Sequence, residues 1–391
     1  MEAKKGFLYA HPDQLRPLAT TYTHKFLGLN NRTGGIWSDT LFGEGIVIGV
    51  LDTGILPTHP SFHDRGMPPK PVAWSGTCAR FSGVRCNRKI IGAVAFNAGV
   101  SDSVIDTNGH GRHVASTAAG NFVDDASVLD MAKGTAAGMA PKAHLAIYKV
   151  CFQNGCPRHR HRQSTPATYT GNLHRQPMSF RNWPPAYIQS AIITSARDLD
   201  LDGNLIVDEN SNETATIFAT GAGQVNPAGA LDPGLVYNID PADYVGYVCG
   251  LGYSDYQVSI LFNRWIRCYT VQTIGASSLN YPSIMASLPR NSRQAVTVER
   301  TVTNVGDDKS VYRARITEPA GVRVDVSTYQ LRFNRQGQEK SFQVTLRISG
   351  SGPGKNSTAR GKLEWVSNNH VVKSPIAIKS VEIPNGLCLR K

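Results

Sequence analysis

No run of this chain approaches the roughly 18 consecutive apolar residues that a membrane-crossing helix needs, so a spanning segment is excluded. The first twelve residues hold only the short apolar patch Gly6 to Ala10, too little for the hydrophobic region of a secretory signal. Charged residues make up 18% of the chain, too few for a coiled coil, and the 37 glycines fall far below the one in three of collagen. Apolar residues, at 41%, suffice for a core and exclude wholesale disorder. At roughly 100–200 residues per domain, a length of 391 residues gives two or three domains.

What is present begins with an excess of positive charge. A formal net charge of +12 raises the question of nucleic acid, and its distribution answers it. Arg158, Arg160, Arg162, Arg175 and Arg181 crowd one irregular stretch, while the other cations are scattered through strand-like segments. A solvated loop accounts for that pattern, and no nucleic-acid partner is expected. Seven cysteines and the N-x-[ST] sequons at Asn31, Asn212 and Asn356 fit a secreted, disulfide-permissive protein. With no export signal in front of them, the start of the chain reads as truncated. Cys78 and Cys86, Cys151 and Cys156, and Cys249 and Cys268 are neighbours in sequence, with Cys388 left over. Proximity does not fix connectivity.

Gly45–Leu51 is a nearly continuous apolar run ending at Asp52-Thr53-Gly54, the pattern of a parallel strand buried on both faces and followed by a turn. Asp52 would then stand at the carboxyl end of a strand, where active-site loops gather in open α/β sheets. A glycine turn leads into small residues from about His110, predicting a tightly packed helix, and His144–Val150 predicts a second strand. Cys151 to Asn182 has neither period, and reads as a junction without a fold of its own. After Trp183-Pro-Pro a helix is expected, with Ile188, Ala191, Ile192 and Ser195 on one face. The last third alternates apolar and polar residues: strands are predicted at Val296–Val302, Val311–Ile316, Val322–Val326, Tyr329–Phe333, Phe342–Ile348, Lys362–Val366 and Val371–Ile378. That spacing predicts a β-sandwich of the fibronectin type III kind.

An Asp at a strand end and a His opening a helix are two members of a Ser-His-Asp relay. Their surroundings, Ile46–His59 and Gly109–Gly120, resemble the Asp and His signatures of the subtilases, the subtilisin-like serine proteases. Gly134–Pro141, Trp183-Pro184, Phe218–Gly223 and Leu231–Tyr237 are similar to the plant, cucumisin-like branch, and Leu279–Ser283, Thr301–Gly306 and Ser374-Pro375 to its fibronectin type III-like domain. The resemblance implies a secreted endopeptidase acting on peptides or proteins, with Asp52 orienting the base His110, with His113 structural and with no cofactor. Arg112 stands where the family has a small Thr or Ser.

The family's nucleophile lies in a Gly-Thr-Ser-Met segment, and no Gly-Thr-Ser occurs in this chain. The segment before Trp183, Arg175–Asn182, is too short to hold that helix. The substrate-binding strand, the oxyanion Asn segment and the inserted protease-associated domain are missing as well, and Ser164 and Ser179 are the nearest substitutes for the nucleophile. Two further motifs carry a bland reading. Asp198–Glu209 fits the EF-hand loop pattern without the exiting helix, so a loop without calcium is expected. Cys151, Cys156, His159 and His161 match no common zinc spacing, and no metal is expected.

The expected organisation is a propeptide remnant with the start of the mature chain at 1–29, α/β catalytic segments at 30–150 and 183–274, the junction at 151–182, and an all-β sandwich at 275–391. A protease family member lacking its nucleophile is expected, extracellular by resemblance. The alternatives are a non-catalytic binding or regulatory protein, or the product of a mis-spliced or mispredicted transcript. Nothing in the sequence fixes the oligomeric state.

Overall fold

A computed structural model describes residues 23–29, 35–152 and 183–381, apart from short stretches at 73, 80–82, 97–102, 129, 201, 209–210, 290–294, 351 and 355–356. The junction, with Ser164, Ser179, Cys156, His159 and His161, lies outside the described residues, as do Asn31 and Asn356. The chain divides into two compact units, Met1–Arg181 and Asn182–Lys391.

The first unit is built on strands β1 (Val47–Asp52), β2 (Ile90–Ala95) and β5 (His144–Lys149), all parallel, in the order β1-β5-β2. Between β2 and β5 come helix α1 (His110–Ala119) and the antiparallel hairpin of β3 (Val123–Val128) and β4 (Met131–Ala136). Ala115 and Ala119 of α1 pack into a core with Val50, Ile90, Leu145 and Ile147. Their small size lets the helix lie close to the sheet. Cys78 and Cys86, whose connectivity the sequence left open, form a disulfide. Although β1 has the composition of a central strand, among the described residues it has a ladder on one side only, to β5.

The second unit begins with α2 (Pro185–Ser195) and the three-residue β6 (Leu235–Tyr237). Two helices follow, α3 (Pro241–Gly250) and α4 (Asp255–Phe262), and a Cys249–Cys268 disulfide ties α3 to the chain beyond α4. The remaining strands are β7 (Ile284–Pro289), β8 (Val296–Asn304), β9 (Ser310–Thr317), β10 (Val322–Val326), β11 (Gln330–Phe333), β12 (Glu339–Ile348), β13 (Thr358–Val366) and β14 (Val371–Val381). Each of the seven strands expected from alternation is found. They form two sheets, β10-β12-β8-β6 and β11-β9-β13-β14-β7, antiparallel throughout except for the parallel pair β7 and β14. Phe342 and Trp365 meet edge to face at 4.9 Å in the shared core, the geometry their ring quadrupoles favour.

The sandwich does not close on residues from 275 onward alone. β6 pairs with β8, and Leu235 and Tyr237 are fully buried in the sandwich core. The Tyr237 N–H donates to Ser190 Oγ on α2, and its hydroxyl meets Ser374 Oγ on β14 at 2.6 Å. Helix α2 therefore buries its small face, Ala186, Ser190, Ala191 and Thr194, while Ile188 and Ile192 are each 43% exposed.

The Asp198–Glu209 segment is more than a solvated loop. Asp198 accepts from Lys362 Nζ at 2.8 Å and Lys373 Nζ at 2.9 Å, and so spends on two lysines the carboxylate that would open an EF-hand ligand set. Burial alone would push this carboxyl up, but hydrogen bonds and charge from both lysines outweigh it and hold the pKa at about 2. The pair therefore adds stability that is complete above the ordinary carboxylate range and is lost as pH falls toward about 2. Asp198→Asn should remove that acid-sensitive component. Because a third of the Asp198 side chain faces water, the loss at neutral pH should be roughly 1–2 kcal/mol rather than the 3–5 of a fully buried pair. Urea unfolding at pH 7 and pH 3 measures it, and equal losses at both would contradict this account.

Candidate active site

Asp52 ends β1 at the carboxyl edge of the parallel sheet, and His110 opens α1. His110 Nδ1 lies 2.8 Å from Asp52 Oδ1 and 2.9 Å from Oδ2. A carboxylate only accepts, so Nδ1 carries a proton; in the neutral ring that leaves the lone pair on Nε2, the tautomer a general base requires. Asp52 Oδ1 also accepts the Thr53 N–H at 2.7 Å. The Asp52 side chain is 13% exposed and that of His110 68%. A shielded carboxylate thus stands behind an imidazole open to solvent.

Asp106, which sequence reasoning did not single out, positions this pair. It is 3% exposed and accepts the N–H groups of Asn108, Gly109 and Arg112 at 2.9–3.0 Å. Those of Gly109 and Arg112 are donors that the start of α1 leaves orphaned, and Gly109 has no side chain to cap them. Thr53 Oγ1 donates to Asp106 at 3.0 Å and accepts the Gly111 N–H at 2.8 Å, tying the helix start to the residue after Asp52. Burial would raise the Asp106 carboxyl, but these hydrogen bonds together lower its pKa. The available signal was Asp106-Thr-Asn-Gly109, turn chemistry in which a carboxylate serves backbone groups a few residues on.

Gly111 sets how closely the helix can approach. A Cβ there would lie 2.4 Å from the Gly54 carbonyl oxygen and 2.8 Å from its nitrogen, both rigid backbone. Gly111→Ala should push α1 off the end of β1 at a cost of about 1–3 kcal/mol. The urea midpoint of the first unit should fall accordingly, and an unchanged midpoint would show that the helix is not seated this closely.

Arg112, the departure from the family pattern, lies with Nε 3.8 Å from Asp106 Oδ2. It is engaged with the helix cap. His113 is exposed. Among the described residues no hydroxyl or thiol hydrogen-bonds to either ring nitrogen of His110.

Residues 43–169 match the subtilase family, and residues 278–378 match a fibronectin type-III domain. Subtilisin-like protease SBT1.2 of Arabidopsis thaliana is 24% identical over 669 residues, covering 94% of this chain and 86% of that protein. Because 94% of 391 residues is about 368, some 300 of those 669 aligned positions have no residue of this chain opposite them. Shorter matches are closer. SBT1.9 of the same plant is 45% identical over 169 residues, 40% of this chain and 23% of that protein, and SBT4.14 is 40% identical over 202 residues, 51% and 26%. Among solved structures, the Vibrio cholerae VesB protease aligns over 26% of this chain and 31% of its own, with a TM-score of 0.18 and 16% identity. With a parallel sheet ending in Asp52, a helix opening on His110 and a β-sandwich in its second unit, this chain is similar to the plant subtilases.

Proposed function

We propose that this chain carries the orienting and basic members of a peptide-hydrolysing relay, Asp52 and His110, and no nucleophile, so that it does not cleave peptides unaided. The observation that carries the reading is the imidazole itself: correctly tautomerised by Asp52, largely exposed, and without a hydroxyl partner among the described residues. A base with no Ser Oγ beside it has no proton to abstract toward an acyl intermediate.

Two apolar surfaces support the loss of a middle segment. β1, with the sequence of a strand flanked on both sides, is paired on one, and Ile188 and Ile192 on α2 lie open. A helix and a strand inserted between the catalytic segments 30–150 and 183–274 would cover such surfaces. The aligned positions without a counterpart in this chain fit the same reading. The substrate class is that of the family, peptides and proteins. An extracellular location fits the Cys78–Cys86 and Cys249–Cys268 disulfides and the exposed sequon asparagine Asn212. The test is active-site labelling: a serine-directed fluorophosphonate should leave the purified chain unmodified. Stoichiometric labelling that disappears in His110→Ala would refute the proposal.

A further inference from the structure

In the second unit, exposed apolar side chains concentrate on the hairpin of α3 and α4. Tyr256, Leu261, Trp265 and Tyr269 are 64–76% exposed, while Val245, Val258 and Ile266 of the same hairpin form its core. The scaffold beneath is fixed. Ser254 and Gln257 cap α4 reciprocally, Asn263 closes it in the left-handed conformation at φ 50°, and the Cys249–Cys268 disulfide clamps the two arms. A surface held this way loses little entropy on binding.

Arg264 and Arg267 belong to the same patch. Arg267 donates to the Tyr269 hydroxyl at 3.0 Å, and neither arginine has a carboxylate partner among the described residues. The acids nearby are committed elsewhere: Asp255 accepts the Cys268 N–H at 2.9 Å, and Asp240 and Asp243 cap α3. Trp, Tyr and unpaired Arg together form the composition of an interface anchor.

The same unit presents a surface of the opposite kind. The loop after α2, ordered by the pairings of Leu199 with Leu205 and of Val207 with Thr214, exposes Leu199, Leu205 and Val207 at 38%, 43% and 53%. Asp200 and Asp202, both exposed, lie between them; Asp200 Oδ1 accepts the N–H groups of Asp202 and Asn204 at 2.9 and 2.8 Å, which holds the turn that presents Asp202, and Asp198 anchors the loop to two lysines. We infer that the aromatic and arginine patch of one copy receives the acidic loop of a second copy, with Arg264 and Arg267 against Asp200 and Asp202 and the exposed apolar side chains closing around Trp265. A guanidinium fork matches a carboxylate in geometry as well as charge. An anionic bilayer is the poorer occupant, because each basic residue near its surface contributes only about 1 kcal/mol and no lysine lies between Lys149 and Lys309 to add to the two arginines. A single such contact leaves one free loop and one free patch, which either meet each other in a two-fold pair or take up further copies in rings or chains. The net charge of +12 opposes association at long range, which makes the contact weak and dependent on concentration.

Sedimentation velocity on the full chain tests this with two variants changed only at exposed positions. In the patch variant, Arg264→Glu and Arg267→Glu, and in the loop variant, Asp200→Lys and Asp202→Lys, the weight-average mass should stay constant with concentration, whereas that of the unaltered chain should rise at least about twofold over a hundredfold range. Mixed together, the two variants should associate, because the unaltered loop of the first meets the unaltered patch of the second and the glutamates of the first variant's patch meet the lysines of the second variant's loop. A chain carrying all four reversals should regain association. Constant mass for the unaltered chain, or association of the loop variant by itself, would overturn the inference. So would a patch that binds vesicles of equal phosphatidylserine and phosphatidylcholine while the chain stays monomeric.

Discussion

Hydrolysis of quenched fluorescent peptides by the purified chain should equal that of His110→Ala, with both at the rate of buffer. In subtilisin, the type member of this family, removing the nucleophile costs about 10⁶ in kcat, a figure that belongs to that enzyme. What survives there comes from the oxyanion hole and substrate binding, with a single oxyanion donor worth about 10²–10³. The resemblance places both of those elements in segments missing from this sequence, so the usual residue of catalysis has no source here. His110 could still deprotonate water, since its Nε2 lone pair is free and its ring is 68% exposed. Water held by no oxyanion donor and no substrate strand gains little from that base. Turnover that depends on His110, above the buffer rate and with saturation by peptide, would show that a nucleophile is being supplied after all.

A fragment beginning at residue 183 should fold cooperatively, and one beginning at residue 275 should not. The shorter fragment lacks Leu235 and Tyr237, which are 0% and 1% exposed in the sandwich core. Losing a buried aromatic of this size costs about 3–5 kcal/mol, and losing a buried leucine about 2 kcal/mol or more. Ser374, fully buried, would also lose the hydroxyl partner it meets at 2.6 Å, at about 1–3 kcal/mol. Residues Val302 to Asn304 would be left without the ladder to β6. Against a typical total of about 5–15 kcal/mol, such losses leave little or nothing. Limited proteolysis should accordingly yield a resistant fragment whose first residue lies near 183. Equal urea midpoints for the two fragments would remove β6 and α2 from the account.

Local pattern carried most of the sandwich into view. Val322–Val326 alternates buried and exposed residues along its length, and a period of two is readable wherever one face meets a core and the other meets water. β6 escaped because Leu235-Val-Tyr237 is three apolar residues, buried throughout, and three residues have no period. Its membership depends on β8, some 65 residues further on. The start of α1 at His110 was legible from its glycine turn, and the end of β1 at Asp52 from its apolar run. Asp106 was missed, because its function lies in three backbone N–H groups that only the turn pattern Asp106-Thr-Asn-Gly109 marks. The face of helix α2 that its spacing marks divides for a related reason, Ala191 being buried and Ile188 and Ile192 exposed. The face bearing Ile188 and Ile192 is the one periodicity marks for burial, yet the close approach of β6 and β14 admits only the small face of Ala186, Ser190 and Ala191.

The pairing of β7 with β14 joins Ile284–Pro289 to Ile376–Val381 in parallel, so that nearly the whole length of the sandwich separates two strands that lie side by side. Contacts so distant in sequence are slow to form, because the closure entropy of the loop between them is spent before they return anything. During synthesis the earlier strand waits, its edge unsatisfied, until the last one has left the ribosome. At about 5–20 residues per second, that interval lasts on the order of several seconds, and in it the fate of the whole unit rests on whatever shields Ile284 and Leu288 from other chains.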